Sequence, residues 1–341
     1  MNQIIPILTL LLLLATKQHA YSQTRTDTRQ QYTSIGDFPL ENGQHITDCR
    51  IGYRTFGKLN ATRSNAIIYP SAGGGTTFYM QFSVNKDVDT TRFYLILIDA
   101  LGNGVSSSPS NSTAQPKTSF PQFSIRDMVN TQYKMLTEKL DIHHLAAVVG
   151  GSMGGCQALQ WAVSYPDFMD KIVAIDATPR LTAYDLLWTS TYIDAVKSDT
   201  AYHSGNYTVN PPVPMAARLS QLLISTPASV NSTTPADSFS SWYATIGKTA
   251  YLDANNFLWQ MKATMMQDIT KGEGSLESAA KKVKAKVLII ANKQDRIFIQ
   301  TPSIKFAKLV NAELVEMDDD SGHLIFGGKI PVDTTRKFLT R

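Results

Sequence analysis

Short apolar runs alternate with longer amphipathic stretches along the chain from residue 50 onward. Several of the runs are apolar throughout, which is typical of strands buried on both faces of a sheet. Strands are predicted at residues 50–56, 66–69, 93–99, 145–150, 171–176, 286–292 and 313–317, and helices at 124–140, 154–165 and 301–310. This order of elements predicts an α/β fold in which a mostly parallel sheet is covered by helices on both faces.

The alternation stops between Thr178 and about Ser278. This segment has three prolines between residues 211 and 214 and several amphipathic pieces, and it contains no convincing buried strand. One large core interrupted by an insertion accommodates a chain of this length without a separate module. We therefore predict a core at residues 23–178 and 279–341, with a mainly helical cap inserted at 179–278.

Residues 1–22 have the pattern of a secretory leader, in which an apolar run is followed by a polar stretch and by small residues at Ala20 and Ser22. We predict cleavage near Ser22 and a periplasmic or secreted location. No Lys or Arg precedes the apolar run, so an uncleaved anchor or a lipid-tethered form remains the alternative. No later segment has the roughly 20 apolar residues that a membrane span requires.

The net charge narrows the classes of partner. Loss of the leader removes Lys17 and no acidic residue, which leaves 31 basic and 28 acidic side chains, or a net charge of +3. This balance argues against nucleic acid or an anionic membrane as a partner.

Cys49 and Cys156 are the two cysteines, and a pair could form a disulfide in an exported protein. Two free buried thiols are favoured, because Cys156 falls on the predicted helix at 154–165.

The segment Gly150-Gly-Ser152-Met-Gly154 fits the pattern G-x-S-x-G. A predicted strand precedes it and a predicted helix follows it, which is the context of a nucleophile elbow. The glycines are needed because the serine backbone is strained and neighbouring side chains would collide with the strand and the helix. The alternative is a turn that only connects strand to helix or cradles a phosphate, although neither nucleotide-binding spacing is met.

A serine hydroxyl needs a base to become a good nucleophile, and His323 is the histidine best placed to serve. His143 and His144 precede the strand of Ser152 and so lie at its far end. His323 follows the final predicted strand, where a loop leaves the same carboxyl edge of the sheet as Ser152. The remaining histidines lie in the leader, the N-terminal region and the cap, at positions 19, 45 and 203. A purely structural histidine remains the alternative.

The base in turn needs a carboxylate that holds its tautomer and stabilises the imidazolium. Asp295 follows the strand predicted at 286–292 and gives the chain order Ser, Asp, His. Asp176, at the end of the strand predicted at 171–176, is the competing acid, and residues 318–320 offer three further aspartates near His323.

A developing oxyanion requires two preorganised N–H donors. We predict that the backbone of Met153, at the helix start, is one of them. The other is predicted in the glycine-rich loop at residues 70–75, with Ser71 as the choice. A flexible turn without a role in binding is the alternative for this loop.

The segment Gly150-Gly-Ser-Met-Gly-Gly-Cys-Gln-Ala-Leu-Gln-Trp-Ala162 closely resembles the elbow of homoserine O-acetyltransferases, and residues 38–43, 51–60, 125–129 and 322–323 resemble further segments of that family. The resemblance implies an α/β-hydrolase fold, with a mostly parallel eight-stranded sheet and an inserted helical cap. It also implies that Ser152, Asp295 and His323 are the catalytic positions. Related enzymes often form dimers, so a homodimer is an open expectation.

The chain departs from this family at positions that bear on the substrate. In the acetyltransferases an Asp directly follows the catalytic His and helps to hold the ammonium group of the amino acid, whereas here the position is Leu324. A desolvated ammonium group would lose several kcal/mol without its counter-ion. Arg218 aligns loosely with the family's arginine for the substrate carboxylate, and a solvated cap arginine is the alternative.

The sequence therefore favours a serine-dependent hydrolase of small esters that needs no metal and no cofactor. Export favours water as the acceptor as well, because acetyl-CoA is a cytoplasmic compound. The first alternative is an O-acyltransferase with acetyl-CoA as co-substrate. The second is a non-catalytic protein that keeps the fold and binds a ligand under the cap.

Overall fold

The computed structural model describes residues 29–248 and 252–341, so the predicted leader at 1–22 lies outside the described residues. The strands are β1 (Gln31–Ser34), β2 (Phe38–Pro39), β3 (His45–Ile46), β4 (Arg50–Phe56), β5 (Ala66–Pro70), β6 (Tyr94–Ile98), β7 (Ala147–Gly151), β8 (Lys171–Ile175), β9 (Lys286–Asn292) and β10 (Glu313–Met317). The helices are α1 (Ile125–Lys134), α2 (Met153–Ser164), α3 (Ala183–Ser198), α4 (Pro214–Ile224), α5 (Pro227–Thr233), α6 (Phe239–Thr245), α7 (Ala254–Met265), α8 (Leu276–Lys282), α9 (Thr301–Leu309) and α10 (Lys329–Thr340).

Eight of these strands form one sheet in the order β1-β4-β6-β5-β7-β8-β9-β10, and β2 and β3 form a separate ribbon. The pairs β1·β4 and β4·β6 are antiparallel, and every other pair in the large sheet is parallel. This confirms the predicted α/β fold with a mostly parallel eight-stranded sheet. Because β7, β9 and β10 run parallel, the chain leaves all three at the same carboxyl edge of the sheet.

The strand sequences lack polar alternation because both faces of the sheet are covered. On β8, Ile172 packs into the apolar cluster on one face and Val173 into the cluster on the other, and both are fully buried. Helices α1 and α2 contribute to the first cluster, and Phe338 of α10 contributes to the second. Neighbouring residues of a strand point to opposite faces, so a doubly covered strand must be apolar at successive positions.

The segment between β8 and β9 is helical and contains α3 to α8. Helix α3 begins with a capping box, in which Thr182 and Asp185 satisfy each other's backbone amides. Near the base of this segment Ile269 donates a hydrogen bond to the carbonyl oxygen of Pro179 at 3.0 Å, and Arg180 pairs with Asp268 at 3.3 Å. These contacts bring together two stretches that lie 88 to 90 residues apart in sequence.

Cys49 and Cys156 are both free and both buried, as predicted. Burial raises the pKa of each thiol to about 12, which keeps both protonated and unreactive at neutral pH. Within residues 29–248 and 252–341, no helix has the length and apolar character needed to cross a bilayer.

Candidate active site

Ser152 lies in the tight turn between β7 and α2, and its backbone adopts a φ of 54° that non-glycine residues rarely take. Its N–H donates to the carbonyl oxygen of Ile175 at 2.9 Å, which fixes the turn against β8. The flanking glycines are required by close packing. A Cβ atom on Gly150 would lie 2.1 Å from the carbonyl oxygen of Gly154. The turn therefore holds the Ser152 side chain at the carboxyl edge of the sheet, as the motif predicted.

The structure brings Ser152, His323 and Asp295 together in one hydrogen-bond chain. Nε2 of His323 lies 2.7 Å from Oγ of Ser152, and Nδ1 of His323 lies 2.9 Å from Oδ2 of Asp295. An imidazole placed in this way can take the hydroxyl proton through Nε2 while the carboxylate holds Nδ1–H. A metal ion at this imidazole would have to displace one of these two hydrogen bonds.

His323 is 5% exposed, and contacts from both core and cap hold its loop. Its N–H donates to the carbonyl oxygen of Ile224, at the end of α4, at 2.9 Å. Nδ2 of Asn292, at the end of β9, donates to the carbonyl oxygen of Gly322 at 2.7 Å. Phe298 and Phe326 pack edge-to-face against the imidazole at ring-centroid distances of 5.7 and 5.5 Å. These contacts fix the ring position that catalysis would need.

The Asp295 carboxylate accepts four hydrogen bonds. Its Oδ1 accepts from the N–H groups of Ile297 and Phe298 at 2.8 and 3.2 Å. Its Oδ2 accepts from Nε2 of Gln300 at 3.0 Å as well as from His323. Hydrogen bonds to the charged form stabilise a buried carboxylate, so these four donors suit a carboxylate that faces the imidazole.

Asp176, the competing acid, does not bond to the imidazole. Its Oδ1 accepts from the N–H of Asn292 at 2.7 Å. Burial, and secondarily the nearby charge of Asp295, raise the pKa of Asp176 to about 9. Among the candidates at 318–320, Asp318 accepts from Gln294 and Asp319 accepts from the N–H of Ser321, and no described hydrogen bond joins the side chain of Asp320 to the imidazole. Asp295 is therefore the acid that the geometry selects.

The prediction that the Ser71 amide is an oxyanion donor is wrong. Its N–H donates to the carbonyl oxygen of Ile98 at 2.9 Å, because the ladder between β5 and β6 continues one residue beyond the strand. Its hydroxyl accepts from the N–H of Ala100, and the residue is fully buried. The next amide, that of Ala72, makes no hydrogen bond within the described part of the chain, and the adjacent Gly73 lies against Met153. The amide of Ala72, together with that of Met153 directly after Ser152, therefore becomes the candidate pair of oxyanion donors.

The two positions expected to bear on the substrate lie in different surroundings. The guanidinium group of Arg218 stacks on the ring of Tyr243 at 3.9 Å, within the segment between β8 and β9. None of its described contacts joins Arg218 to Ser152, His323 or Asp295, so its binding role stays a prediction. Leu324 is 49% exposed directly after the buried His323.

Sequence reasoning missed four residues that support this site, namely Ala72, Gln260, Asn292 and Gln300. Gln260 of α7 accepts from the N–H of Gly74 at 2.8 Å and donates to the carbonyl oxygen of Leu101 at 2.9 Å. Asn292 carried a usable signal, because a polar residue follows a run of five apolar residues at the carboxyl edge of the sheet. Gln260 and Gln300 lie on a cap helix and in a loop, where nothing in the sequence distinguishes them.

Comparison with known proteins agrees with this geometry. Residues 65–329 match the family described as alpha/beta hydrolase fold. The chain belongs to the α/β-hydrolase fold family. It is 32% identical over 318 residues to an ethyl acetate hydrolase from Pseudomonas veronii, and the match covers 86% of this chain and 89% of that protein.

Relatives of this α/β hydrolase include both hydrolases and transferases. A homoserine O-acetyltransferase from Symbiobacterium thermophilum is 29% identical over 350 residues, covering 88% of this chain and 91% of its own length. The crystal structure of the acetyl esterase MekB superimposes with a TM-score of 0.84 at 28% identity, covering 92% of this chain and 97% of that one. The resemblance to homoserine O-acetyltransferases is confirmed. The protein is an enzyme of the group that contains serine ester hydrolases and acyltransferases.

Proposed function

We propose that this protein hydrolyses small acyl esters, with Ser152 as nucleophile, His323 as general base and acid, and Asp295 as the carboxylate that orients the imidazole. The observation that carries the proposal is the continuous hydrogen-bond chain from Ser152 Oγ through His323 to Asp295, with distances of 2.7 and 2.9 Å. A nucleophile bonded to a base that a third group orients is the arrangement used in covalent acyl transfer.

In the first half of the reaction, His323 Nε2 takes the proton of Ser152 as Oγ attacks the ester carbonyl carbon. The tetrahedral intermediate carries a negative oxygen, for which the N–H groups of Met153 and Ala72 are the proposed donors. Its collapse breaks the bond to the alcohol oxygen, and His323 returns the proton to the leaving alcohol. Ser152 then carries the acyl group as an ester.

In the second half, water takes the place of the departed alcohol. His323 removes a proton from this water as its oxygen attacks the acyl carbon, and the same two amides stabilise the second oxyanion. Collapse of this intermediate breaks the bond between the acyl carbon and Oγ of Ser152, and His323 returns the proton to Oγ. The carboxylic acid leaves, and the Ser152 hydroxyl and the neutral imidazole are restored. Each step uses a group already within hydrogen-bond reach of Ser152 or beside it.

Water is favoured over an amino-acid acceptor because of the residue that follows His323. Leu324 offers no counter-ion for an ammonium group at the position where homoserine O-acetyltransferases have Asp. The ethyl acetate hydrolase and the acetyl esterase among the relatives support acetyl esters as the first substrates to test. The predicted leader adds support, since an exported enzyme would rarely meet acetyl-CoA.

The test is a panel of acetyl, butyryl and octanoyl esters assayed with and without acetyl-CoA and homoserine. We expect hydrolysis that is fastest for acetyl esters and is abolished in Ser152→Ala. Ser164→Ala, at the far end of the same helix, serves as the control and should keep full activity. Unchanged hydrolysis in Ser152→Ala would disprove the nucleophile. Acyl transfer from acetyl-CoA to homoserine that outpaces hydrolysis would instead establish the acyltransferase alternative.

We also propose that the enzyme acts outside the cytoplasm after cleavage near Ser22, on the evidence of the apolar run in residues 1–22. Mass spectrometry of the protein recovered from periplasmic and culture fractions would test this. We expect a chain that begins at or next to Gln23. A full-length chain confined to the cytoplasmic fraction would contradict the proposal.

A further inference from the structure

Two buried carboxyl groups lie side by side behind the imidazole. Asp176 directly follows β8, and Asp295 follows the neighbouring β9. One side-chain oxygen of Asp176, one of Asp295 and one ring nitrogen of His323 all lie within 4.8 Å of one another. Asp176 is fully buried and Asp295 is 3% exposed. Two like charges this close and this dry would repel strongly, so such a pair favours holding one proton.

The hydrogen bonds of the two groups show which of them would hold that proton. Asp295 accepts four hydrogen bonds, from two backbone amides, Gln300 and His323. Asp176 accepts one, from the N–H of Asn292 to Oδ1. Its Oδ2 is buried and receives no hydrogen bond from any described donor. A buried oxygen without a donor is costly as part of a carboxylate, whereas as a hydroxyl it needs only an acceptor. The Asp295 carboxylate, with an oxygen within 4.8 Å of an Asp176 oxygen, is the nearest candidate for that acceptor among the groups described here.

We propose that Asp176 and Asp295 form a carboxyl pair that carries one proton and one negative charge, with Asp176 as the protonated member. Asp176 is then a positioning residue, because its hydroxyl would donate to Asp295 and help to hold that carboxylate against Nδ1 of His323. This role rests on the proposed function of the same site. The protonation itself depends only on the two carboxyl groups and their surroundings.

The charges around Asp176 agree with this assignment. Burial first, and then the carboxylates of Asp295 and Asp319, raise the pKa of Asp176 to about 9, while the N–H of Asn292 acts in the opposite direction. No lysine or arginine is among the groups that act on Asp176 within the described residues. The backbone of Asp176 is also held in place, with a φ of 41° and an N–H bonded to the carbonyl oxygen of Ile290.

The pair predicts a change at alkaline pH. When Asp176 ionises, it stops donating to Asp295, and the two carboxylates repel each other. Asp295 then shifts away from Nδ1, and the base loses its orientation. In Asp176→Asn the amide Nδ2–H replaces the hydroxyl as donor and does not titrate, so the variant imitates the protonated acid at every pH.

The first experiment is infrared spectroscopy in D2O at pH 8, which detects the C=O stretch of a protonated carboxyl group. We expect a band in the wild type that is missing in Asp176→Asn and retained in Asp87→Asn. Asp87 is a matched control, because it is another buried carboxyl group with an unpartnered oxygen. The wild-type band should also disappear as the pH is raised past about 9, a measurement that needs no variant. Identical spectra of wild type and Asp176→Asn would overturn the proposal, whether or not the protein hydrolyses esters.

The second experiment measures kcat/KM for an acetyl ester from pH 6 to 10, after subtraction of spontaneous hydrolysis. We expect the wild-type value to fall several-fold between pH 8 and 10 and the Asp176→Asn value to stay flat over that range. At pH 7 the variant should be reduced less than tenfold, whereas Asp176→Leu, which lacks the donor, should lose clearly more. Profiles of the same shape for wild type and Asp176→Asn would refute the positioning role even if the infrared band were present.

Discussion

The core, which is the eight-stranded sheet with its covering helices, and the predicted cap, which is the helical segment between β8 and β9, hold the site in different ways. In the core, backbone and side-chain hydrogen bonds at the ends of β7, β8 and β9 fix Ser152, Asp295 and the loop of His323. The segment between β8 and β9 reaches the site through single contacts, such as that from Ile224 to His323. It also leaves a mainly apolar cavity of about 400 Å³ between α3 and α4. We therefore expect the chemistry to depend on the core and the choice of substrate to depend on the less constrained segment between β8 and β9.

The largest expected effect tests the core alone. We predict that His323→Gln lowers kcat for ester hydrolysis by about 10⁵- to 10⁶-fold, as loss of the base does in other serine hydrolases. Ser152 keeps its strained backbone but has no group to accept its proton, so labelling by a fluorophosphonate should slow in parallel. Both can be measured on the same protein preparation.

The control for this variant is His144→Gln, which removes an exposed imidazole that bonds Asp170 at 3.0 Å at the opposite edge of the sheet. We expect its kcat to equal that of the wild type. If His323→Gln lowered kcat by less than about tenfold, hydrolysis would not depend on the hydrogen-bond chain through Ser152. The division of roles between core and cap would then be wrong.

A smaller effect is expected where helix α7 contacts the glycine-rich loop at residues 70–75. Gln260→Ala removes the acceptor of the Gly74 N–H and the donor to Leu101. Leaving such buried groups unpaired costs about 1 to 3 kcal/mol, so we predict a 10- to 100-fold loss in kcat with little change in KM. Lys262→Ala on the same helix, whose ammonium group lies over the ring of Trp259, should have near-normal kcat. Equal losses in the two variants would indicate general loosening of α7 rather than a specific contact.

The same difference between core and cap explains how much could be predicted from the sequence. The bounds of seven strands followed from apolar runs to within two residues, because strands buried on both faces allow few other residues. The short, partly exposed strands β1, β2 and β3 have no such runs and were not predicted. Ser152 was predicted from the G-x-S-x-G motif, and His323 was predicted from its place at the carboxyl edge of the sheet. The prediction of Ser71 as an oxyanion donor failed, because whether Ser71 or Ala72 leaves the ladder depends on the register of β5 against β6. Asp176 and Asp295 end neighbouring strands, so only the hydrogen bonds of the folded chain separate their roles.

A still smaller effect should appear at the acceptor position. We predict that Leu324→Asp raises the ratio of homoserine acylation to ester hydrolysis about fivefold, because a half-exposed carboxylate contributes roughly 1 kcal/mol to binding an ammonium group. Hydrolysis in the absence of homoserine should change less than threefold. Leu309→Asp, at the similarly exposed end of α9, is the control and should leave the ratio unchanged. An unaltered ratio in Leu324→Asp would mean that residues of the cap, and not position 324, select the acceptor.

The smallest effect on catalysis is expected at Asp87, a core carboxyl group of which no described contact reaches the catalytic residues. Burial raises the pKa of Asp87 from 3.8 to about 7, so between these values the folded state binds more protons than the unfolded state. Stability must therefore fall as pH rises through this range. Asp87→Asn cannot titrate, so we predict that its Tm exceeds that of the wild type by a few degrees at pH 8 and by less at pH 5. Its kcat/KM should follow the wild type at every pH. A change in kcat/KM would mean that a core group without a described contact to the catalytic residues also affects the chemistry, and the core would then act as one unit rather than as a scaffold with a local site.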